Sequence, residues 1–115
     1  MPAAKFDITI DQGSDFEITI QVFEDDAVKN LTGYSARSQL RQKLDASGAT
    51  NFDTSGSQLD ANGKVKIALS NQTTKDIVPG AYVYDIEIFE GTAPNETSVT
   101  RILQGKATVT GEVTR

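Results

Sequence analysis

Apolar and polar residues alternate with a period of two along most of this chain. The alternation predicts β-strands, because successive side chains of a strand point to opposite faces of a sheet. Segments rich in Gly, Asn, Asp and Ser, which are typical of turns, separate the alternating stretches. Those stretches lie at residues 6–10, 16–22, 34–41, 65–69, 82–89 and 97–113. The sequence therefore predicts an all-β protein.

The predicted strands are short and regularly spaced, and they number about seven. One brief helical turn interrupts them, which Ser70 can cap and which Pro79 and Gly80 would end. This spacing favours an immunoglobulin-like sandwich of two antiparallel sheets over a barrel or an α/β fold. A chain of 115 residues is long enough for one two-layer core and too short for two. We therefore expect residues 1–115 to form a single domain.

The clearest strand follows the Pro79-Gly80 turn. Its apolar row, which we expect to lie in the core, is Tyr82, Tyr84, Ile86 and Ile88. A Pro-Gly turn before a tyrosine is typical of the tyrosine corner of sandwich domains, so Tyr82 is the candidate for that role. The alternative is that Tyr82 is an ordinary core aromatic residue.

The last strand has a less regular pattern. One phase of its alternation contains Val99, Leu103, Ala107, Val109 and Val113, with Arg101 as its only charged residue. Either the strand begins near the rim of its sheet, or a bulge at Gly105 resets the phase.

The segment 45–57 is rich in Ser, Gly, Thr and Asp, and Phe52 is its only large apolar residue. We expect a loop there, with at most a short edge strand.

The chain contains no His and no Cys. It therefore lacks the usual general base, the thiol nucleophile and the commonest metal ligand. Two acid pairs could in principle act as glycosidase carboxylates: Asp25 with Asp26, and Asp85 with Glu87. The first pair lies in a predicted hairpin turn and the second lies on the polar face of a predicted strand, so we expect both to face water. The prediction is a non-enzymatic protein with no catalytic residues, no metal and no cofactor.

Charge and hydropathy narrow the possible partners. The net charge of −5 and the pI near 4.6 disfavour nucleic acid, because phosphate-backbone binding requires a basic surface. No apolar stretch is long enough to span a membrane, and residues 1–6 lack the apolar core of a signal peptide. We therefore expect no membrane partner, and synthesis in the cytoplasm.

Three residues are the candidates for a protein interface. Arg37 and Arg41 give the third predicted strand a basic outer face, and Phe89 lies on the otherwise polar face of the 82–89 strand. Exposed strand edges are a further contact feature. The alternative is that these are ordinary surface residues, since scattered surface charges and apolar side chains are common.

Five segments carry a resemblance to a known group of proteins. They are DQGSDF at residues 11–16, NLTGYSAR at 30–37, GKVKIAL at 63–69, VPGAYVYDIE at 78–87 and VTRILQG at 99–105. Taken in order, they resemble a family of small structural proteins of tailed bacteriophages. The chain is also similar to the immunoglobulin-like N-terminal domain of phage baseplate upper proteins, over residues 11–113.

The resemblance implies a virion component that binds other virion proteins and is present in several symmetry-related copies, as a symmetric homo-oligomer within the particle. It implies an adaptor in the tail, baseplate or fibre-attachment region, synthesised in the host cytoplasm; the alternative is a capsid decoration protein. A carbohydrate-binding module is a more distant alternative. It is disfavoured because the chain has no Trp and two of its three Tyr fall in core phase.

Overall fold

The computed structural model describes residues 3–43, 48–92 and 94–113. Within these residues the chain forms ten strands and one short helix, so the predicted all-β class is confirmed. The strands are β1 (Ala4–Lys5), β2 (Ile8–Asp11), β3 (Phe16–Gln21), β4 (Phe23–Glu24), β5 (Ala27–Val28), β6 (Tyr34–Arg41), β7 (Thr50–Asn51), β8 (Lys64–Leu69), β9 (Gly80–Glu90) and β10 (Thr97–Thr110). The helix α1 (Asn71–Thr74) begins after Ser70, whose side chain accepts a hydrogen bond from the Thr73 amide, as predicted.

The larger sheet has the strand order β1-β10-β9-β6-β7, and β2 also pairs with β10. Its central pairs are antiparallel, but β1 and β2 run parallel to β10, which differs from the fully antiparallel prediction. The turn after β2 explains why β2 stays paired with β10 and does not form a hairpin with β3. The Gln12 amide donates to the Thr110 carbonyl at 3.0 Å, which keeps the turn at the edge of the larger sheet before the chain crosses to the other layer. Strands β2 and β3 therefore belong to different sheets.

The second layer consists of β3 and β8, which pair antiparallel with Phe16 opposite Leu69 and Ile20 opposite Val65. The β4–β5 hairpin extends from it and turns at Asp25 and Asp26, whose φ angles are 52° and 65°. Positive φ at both central residues is the requirement of a mirror-image hairpin turn, which Asp tolerates. The acidic pair Asp25 and Asp26 is thus a turn, as predicted.

Both layers contribute to one hydrophobic core. The buried apolar residues are Ile8, Ile10, Val22, Leu31, Leu40, Phe52, Val65, Ile67, Leu69, Ile77, Tyr84, Ile86, Ile88, Leu103, Ala107 and Val109. The Phe52 ring bridges the layers, with its centroid 6.1 Å from that of Phe16 and 6.3 Å from that of Tyr84. The sandwich architecture is therefore confirmed.

Tyr82 lies at the rim of this core. Its hydroxyl donates a hydrogen bond to the carbonyl oxygen of Val78 at 2.6 Å. A tyrosine that bonds to the backbone a few residues upstream is the arrangement of a tyrosine corner, so this prediction is confirmed.

The phase of β10 is reset at Ile102 and not at Gly105. Arg101 lies opposite Glu87 and Leu103 lies opposite Ile86, so β10 has one residue more than β9 at this point. The extra residue turns Arg101 to the outer face and leaves Leu103 in the core. On the N-terminal side of this bulge the predicted phase fails, since Val99 is 47% exposed. On the C-terminal side it holds for Ala107 and Val109, whereas Val113, past the end of β10, is 99% exposed.

The segment after β6 links the two layers. Strand β7 pairs with β6, the Phe52 amide donates to the Ser38 carbonyl at 3.0 Å, and Asp53 then exchanges two backbone hydrogen bonds of 2.9 Å with Ala68 of β8. This confirms the predicted short edge strand and the anchoring role of Phe52 within 45–57. Residues 45–47 of that segment lie outside the described residues.

Candidate functional site

The outer face of the larger sheet carries a shallow groove of about 690 Å³. The register of three adjacent strands builds it, because Arg37 of β6 and Arg101 of β10 both lie opposite Glu87 of β9. Side chains at alternate positions of neighbouring strands then share one face. The charged and amide residues that line this outer groove are Arg37, Gln39, Arg41, Asn51, Asp85, Glu87, Arg101 and Gln104.

Arg37 is bound by two carboxylates. Its Nε donates to Glu87 Oε1 and its Nη1 donates to Glu96 Oε2, both at 2.8 Å. The hydrogen bond to Glu87, followed by that to Glu96, raises the pKa of the Arg37 guanidinium. The same contact with Arg37 holds the pKa of the Glu96 carboxyl below its usual value. The sequence of β6 alone predicts a basic outer face. In the structure, the carboxylates of Glu87 and Glu96 offset the positive charge of Arg37 on that face.

Phe89 lies beneath Arg37. The guanidinium carbon is 4.6 Å from the centre of the Phe89 ring, which is the geometry of a cation–π contact. This contact covers part of the ring and leaves Phe89 half-buried, whereas strand phase alone predicted an exposed side chain.

Arg41 lies four residues along β6 from Arg37 and on the same face. It is half-buried, and its Nη2 donates to Gln39 Oε1 at 2.8 Å. The three residues predicted as an interface thus share the outer face of the larger sheet, with Arg37 and Phe89 in contact.

Asp85 and Arg101 complete the groove, and sequence reasoning did not assign them to it. Arg101 Nε lies 3.2 Å from Asp85 Oδ2. Burial, followed by the nearby charge of Glu87, raises the pKa of the Asp85 carboxyl, and Arg101 opposes that rise. Strand phase places Asp85 and Glu87 on one face, but only the register of β10 and its bulge bring Arg101 beside them.

We expect Asp85→Asn to change how stability depends on pH. A raised native pKa means that the folded protein binds the Asp85 proton more tightly than the unfolded chain does. Stability from this group is present at low pH and is lost as the pH rises from the ordinary value of 3.8 through the raised value. Asparagine does not titrate, so the variant should lose less stability over this window. Urea unfolding at a series of acidic pH values measures the free energy of unfolding of both proteins. Parallel pH profiles for the variant and the wild type would contradict the raised pKa of Asp85.

Both carboxylates of the groove have an arginine partner, Asp85 with Arg101 and Glu87 with Arg37. Among the described residues no three His, Cys, Asp or Glu side chains are grouped to hold a metal ion. Paired charges of both signs on an open face are suited to recognising polar and charged groups of another molecule. In the same part of the chain, no helix has the length and apolar character to cross a membrane.

Solved structures with similar architecture include a phage protein. The N-terminal domain of phage TP901-1 ORF48 matches with a TM-score of 0.57 and 14% sequence identity, over 89% of this chain and 82% of that one. The chain has the fold of a phage protein domain. The predicted resemblance to phage proteins is thereby confirmed at the level of fold.

Two further solved structures match with lower TM-scores. The Listeria monocytogenes internalin-like protein lmo2027 gives a TM-score of 0.47 and 16% identity, over 94% of this chain and 28% of that one. AggA, the major subunit of aggregative adherence fimbriae type I from Escherichia coli, gives 0.38 and 12%, over 90% and 89%. No protein-family model matches the sequence, and neither does any curated protein.

Proposed function

We propose that this protein is a non-enzymatic structural component of a bacteriophage virion. In this proposal it acts as an adaptor in the tail, baseplate or fibre-attachment region, through contacts with other virion proteins and as several symmetry-related copies. The observation that carries the proposal is the fold shared with a phage protein domain over 89% of the chain. The sequence segments that resemble small tailed-phage structural proteins, at residues 11–16, 30–37, 63–69, 78–87 and 99–105, also support it.

A capsid decoration protein is the second candidate, because a sandwich with polar outer faces is suited to either position. The outer groove argues against the carbohydrate-binding alternative. Sugar recognition uses an exposed aromatic platform, but the Phe89 ring, which lies beside the groove, has the Arg37 guanidinium over it at 4.6 Å.

We propose the outer groove, together with the Phe89 ring beside it, as the contact surface, with Arg37, Arg41 and Phe89 as the interface residues. Its paired charges favour a partner surface that is itself polar and of mixed sign. The single domain expected over residues 1–115 belongs to the same proposal, and one shared core across the described residues supports it.

Charge reversal at Arg41 is expected to lower incorporation of the protein into phage particles. Arg41 is the suitable position, because a carboxylate at position 37 would lie beside Glu87 and Glu96 and would destabilise the sheet. Complementation of a phage lacking the gene with Arg41→Glu, followed by quantitative mass spectrometry of the particles, measures the effect.

The matched control is Lys64→Glu, the same reversal at an exposed position on the outer face of the other layer. We expect it to be incorporated at the wild-type level. The melting temperatures of both variants are measured as well, so that a loss of incorporation through a lost contact is distinguished from one through lost stability. Equal incorporation of both variants would reject the outer groove as the interface.

A further inference from the structure

Strand β3 is the edge of its layer. Its register with β8 pairs every residue from Phe16 to Gln21, and no described residue forms a strand on its other side. The following hairpin does not cover that side. Val22 accepts from the Lys29 amide and donates to the Gly63 carbonyl, both at 2.8 Å, which places β5 and β8 on the same side of the chain.

The N-terminal strands could have covered this edge but are paired elsewhere. Strand β2 precedes β3 by only a short turn, yet it pairs with β10 in the larger sheet. Asp11 is already hydrogen-bonded through the Thr110 hydroxyl, at 2.7 Å, at the point where the chain leaves that sheet. The side of β3 that faces away from β8, which we call the β3 edge, is thus left without a strand partner among the described residues.

The apolar row of the layer ends at this edge. Phe16, Ile18 and Ile20 are half-buried, and all three pack against the core. Their partners across the ladder, Leu69, Ile67 and Val65, are only 4%, 0% and 0% exposed. The β3 side chains therefore lack a neighbour on one side.

The β3 edge also lacks the features that normally protect an edge strand. Residues 16–21 contain no proline, no glycine and no bulge. Their one charged residue is Glu17, whose carboxylate is 2.8 Å from Lys66 Nζ of the same layer. Edge strands without protective charges, prolines or bulges pair readily with another strand.

The backbone groups that face the free side can be assigned. Lys64 and Ala68 of β8 form their backbone hydrogen bonds with Gln58 and Asp53, away from β3. In an antiparallel ladder, alternate residues bond to opposite neighbours. Val65, Ile67 and Leu69 therefore bond to Ile20, Ile18 and Phe16, and the amides and carbonyls of Glu17, Thr19 and Gln21 point outward.

We propose that the β3 edge pairs antiparallel with the β3 edge of a second copy of this chain, about a two-fold axis at Thr19. In this register Thr19 faces Thr19 of the second copy, and Glu17 faces Gln21. These are the residues whose backbone groups are free, so the strands can exchange hydrogen bonds at all three pairs. The strand pairing itself does not depend on the proposed function, because it follows from the chain alone. Only the proposal that this dimer occurs within a phage particle rests on that function.

Side-chain complementarity supports a second copy as the partner. The same register places Ile18 beside Ile20 of the second copy, which continues the apolar row across the axis. On the outer face the register places Thr19 opposite Thr19 and Glu17 opposite the uncharged amide of Gln21. No two like charges lie directly opposite each other across the axis. Pairs of these kinds stabilise antiparallel strands, whereas like charges directly opposite destabilise them.

The first test is the association state of the purified full chain, measured by sedimentation equilibrium up to millimolar concentration. Thr19→Glu places two carboxylates opposite each other at the axis, whereas within one chain the new carboxylate lies opposite Lys66 of β8, an opposite charge. Thr108→Glu introduces the same charge at an exposed position of β10. We expect the wild type and Thr108→Glu to dimerise with rising concentration, and Thr19→Glu to remain monomeric without a fall in melting temperature. A monomeric wild type, or a Thr19→Glu dimer as strong as that of the wild type, would overturn the proposal.

A second test uses the absence of cysteine from the natural chain. In the proposed register the two Thr19 Cα atoms are about 5.5 Å apart, within the range that a disulfide spans. Under mild oxidation Thr19→Cys should form covalent dimers many times faster than the exposed control Thr108→Cys. Equal rates would overturn the pairing. Failure of either test leaves the presence of the protein in purified particles, and hence the proposed function, unaffected.

Discussion

Replacing Ile86 by alanine is expected to destabilise the protein by about 2–5 kcal/mol. Ile86 is 0% exposed and lies between Ser38 of β6 and Leu103 of β10, at the centre of the larger sheet. Truncation removes apolar contacts and leaves a cavity that the surrounding strands cannot fill. Urea unfolding measures the loss.

Val99→Ala is the matched control for this substitution. Val99 of β10 is, like Ile86, a β-branched aliphatic residue of the larger sheet, but its side chain is 47% exposed. We expect its truncation to change the free energy of unfolding by less than about 0.5 kcal/mol. A similarly small change for Ile86→Ala would show that the core face of β9 is assigned wrongly.

Replacing Gly105 by alanine is expected to destabilise the protein by about 1–3 kcal/mol. A Cβ at this position would overlap the carbonyl oxygen of Phe6, which accepts the hydrogen bond of the Tyr84 hydroxyl. The overlap is with the backbone, so relief requires the β1–β2 segment to move away from β10. Burial, followed by the nearby charge of Asp7, raises the pKa of the Tyr84 hydroxyl from 10.0 to about 12, so it remains a donor at an alkaline pH where a free phenol would ionise.

Gly111→Ala is the control for this second substitution. The nearest atom to its added Cβ would be Pro79 Cγ at 3.7 Å, an ordinary van der Waals contact. Since alanine restricts the unfolded chain more than glycine does, Gly111→Ala should be neutral or slightly stabilising. Equal melting temperatures for the two variants would contradict the close approach at Gly105.

The faces of the strands could be predicted from the sequence, because the alternation of apolar and polar residues reports burial directly. Tyr84, Ile86 and Ile88 lie in the core as their phase predicts. The tyrosine corner at Tyr82 and the cap at Ser70 were also predictable, since both depend on residues near in sequence. The fold class follows from these local signals.

The pairing of strands could not be predicted in the same way. The parallel pairing of β2 with β10 joins segments about a hundred residues apart, and no local pattern reports it. The bulge at Ile102 is a second example, because an isoleucine carries no signal for an extra residue. Gly105 is a residue type that is typical of bulges, but in this structure its missing side chain allows the Phe6 carbonyl to pack closely against β10.

The contacts of the outer groove, like the pairing of the strands, could be predicted from the sequence only in part. Strand phase placed Arg37, Arg41 and Phe89 on outer faces, and the structure brings them onto one face. The partners of Arg37 depend on register and on the turn that precedes β10, from which Glu96 reaches it. The charge balance of the groove was therefore not readable from β6 alone.

The proposed role in a phage particle is tested most directly by quantitative mass spectrometry of gradient-purified virions, with separated tails and heads measured in parallel. We predict that the protein is present at a fixed copy number per particle and is recovered with the tail fraction. Recovery with heads alone would favour the capsid decoration alternative. Absence of the protein from purified particles would contradict the structural role itself.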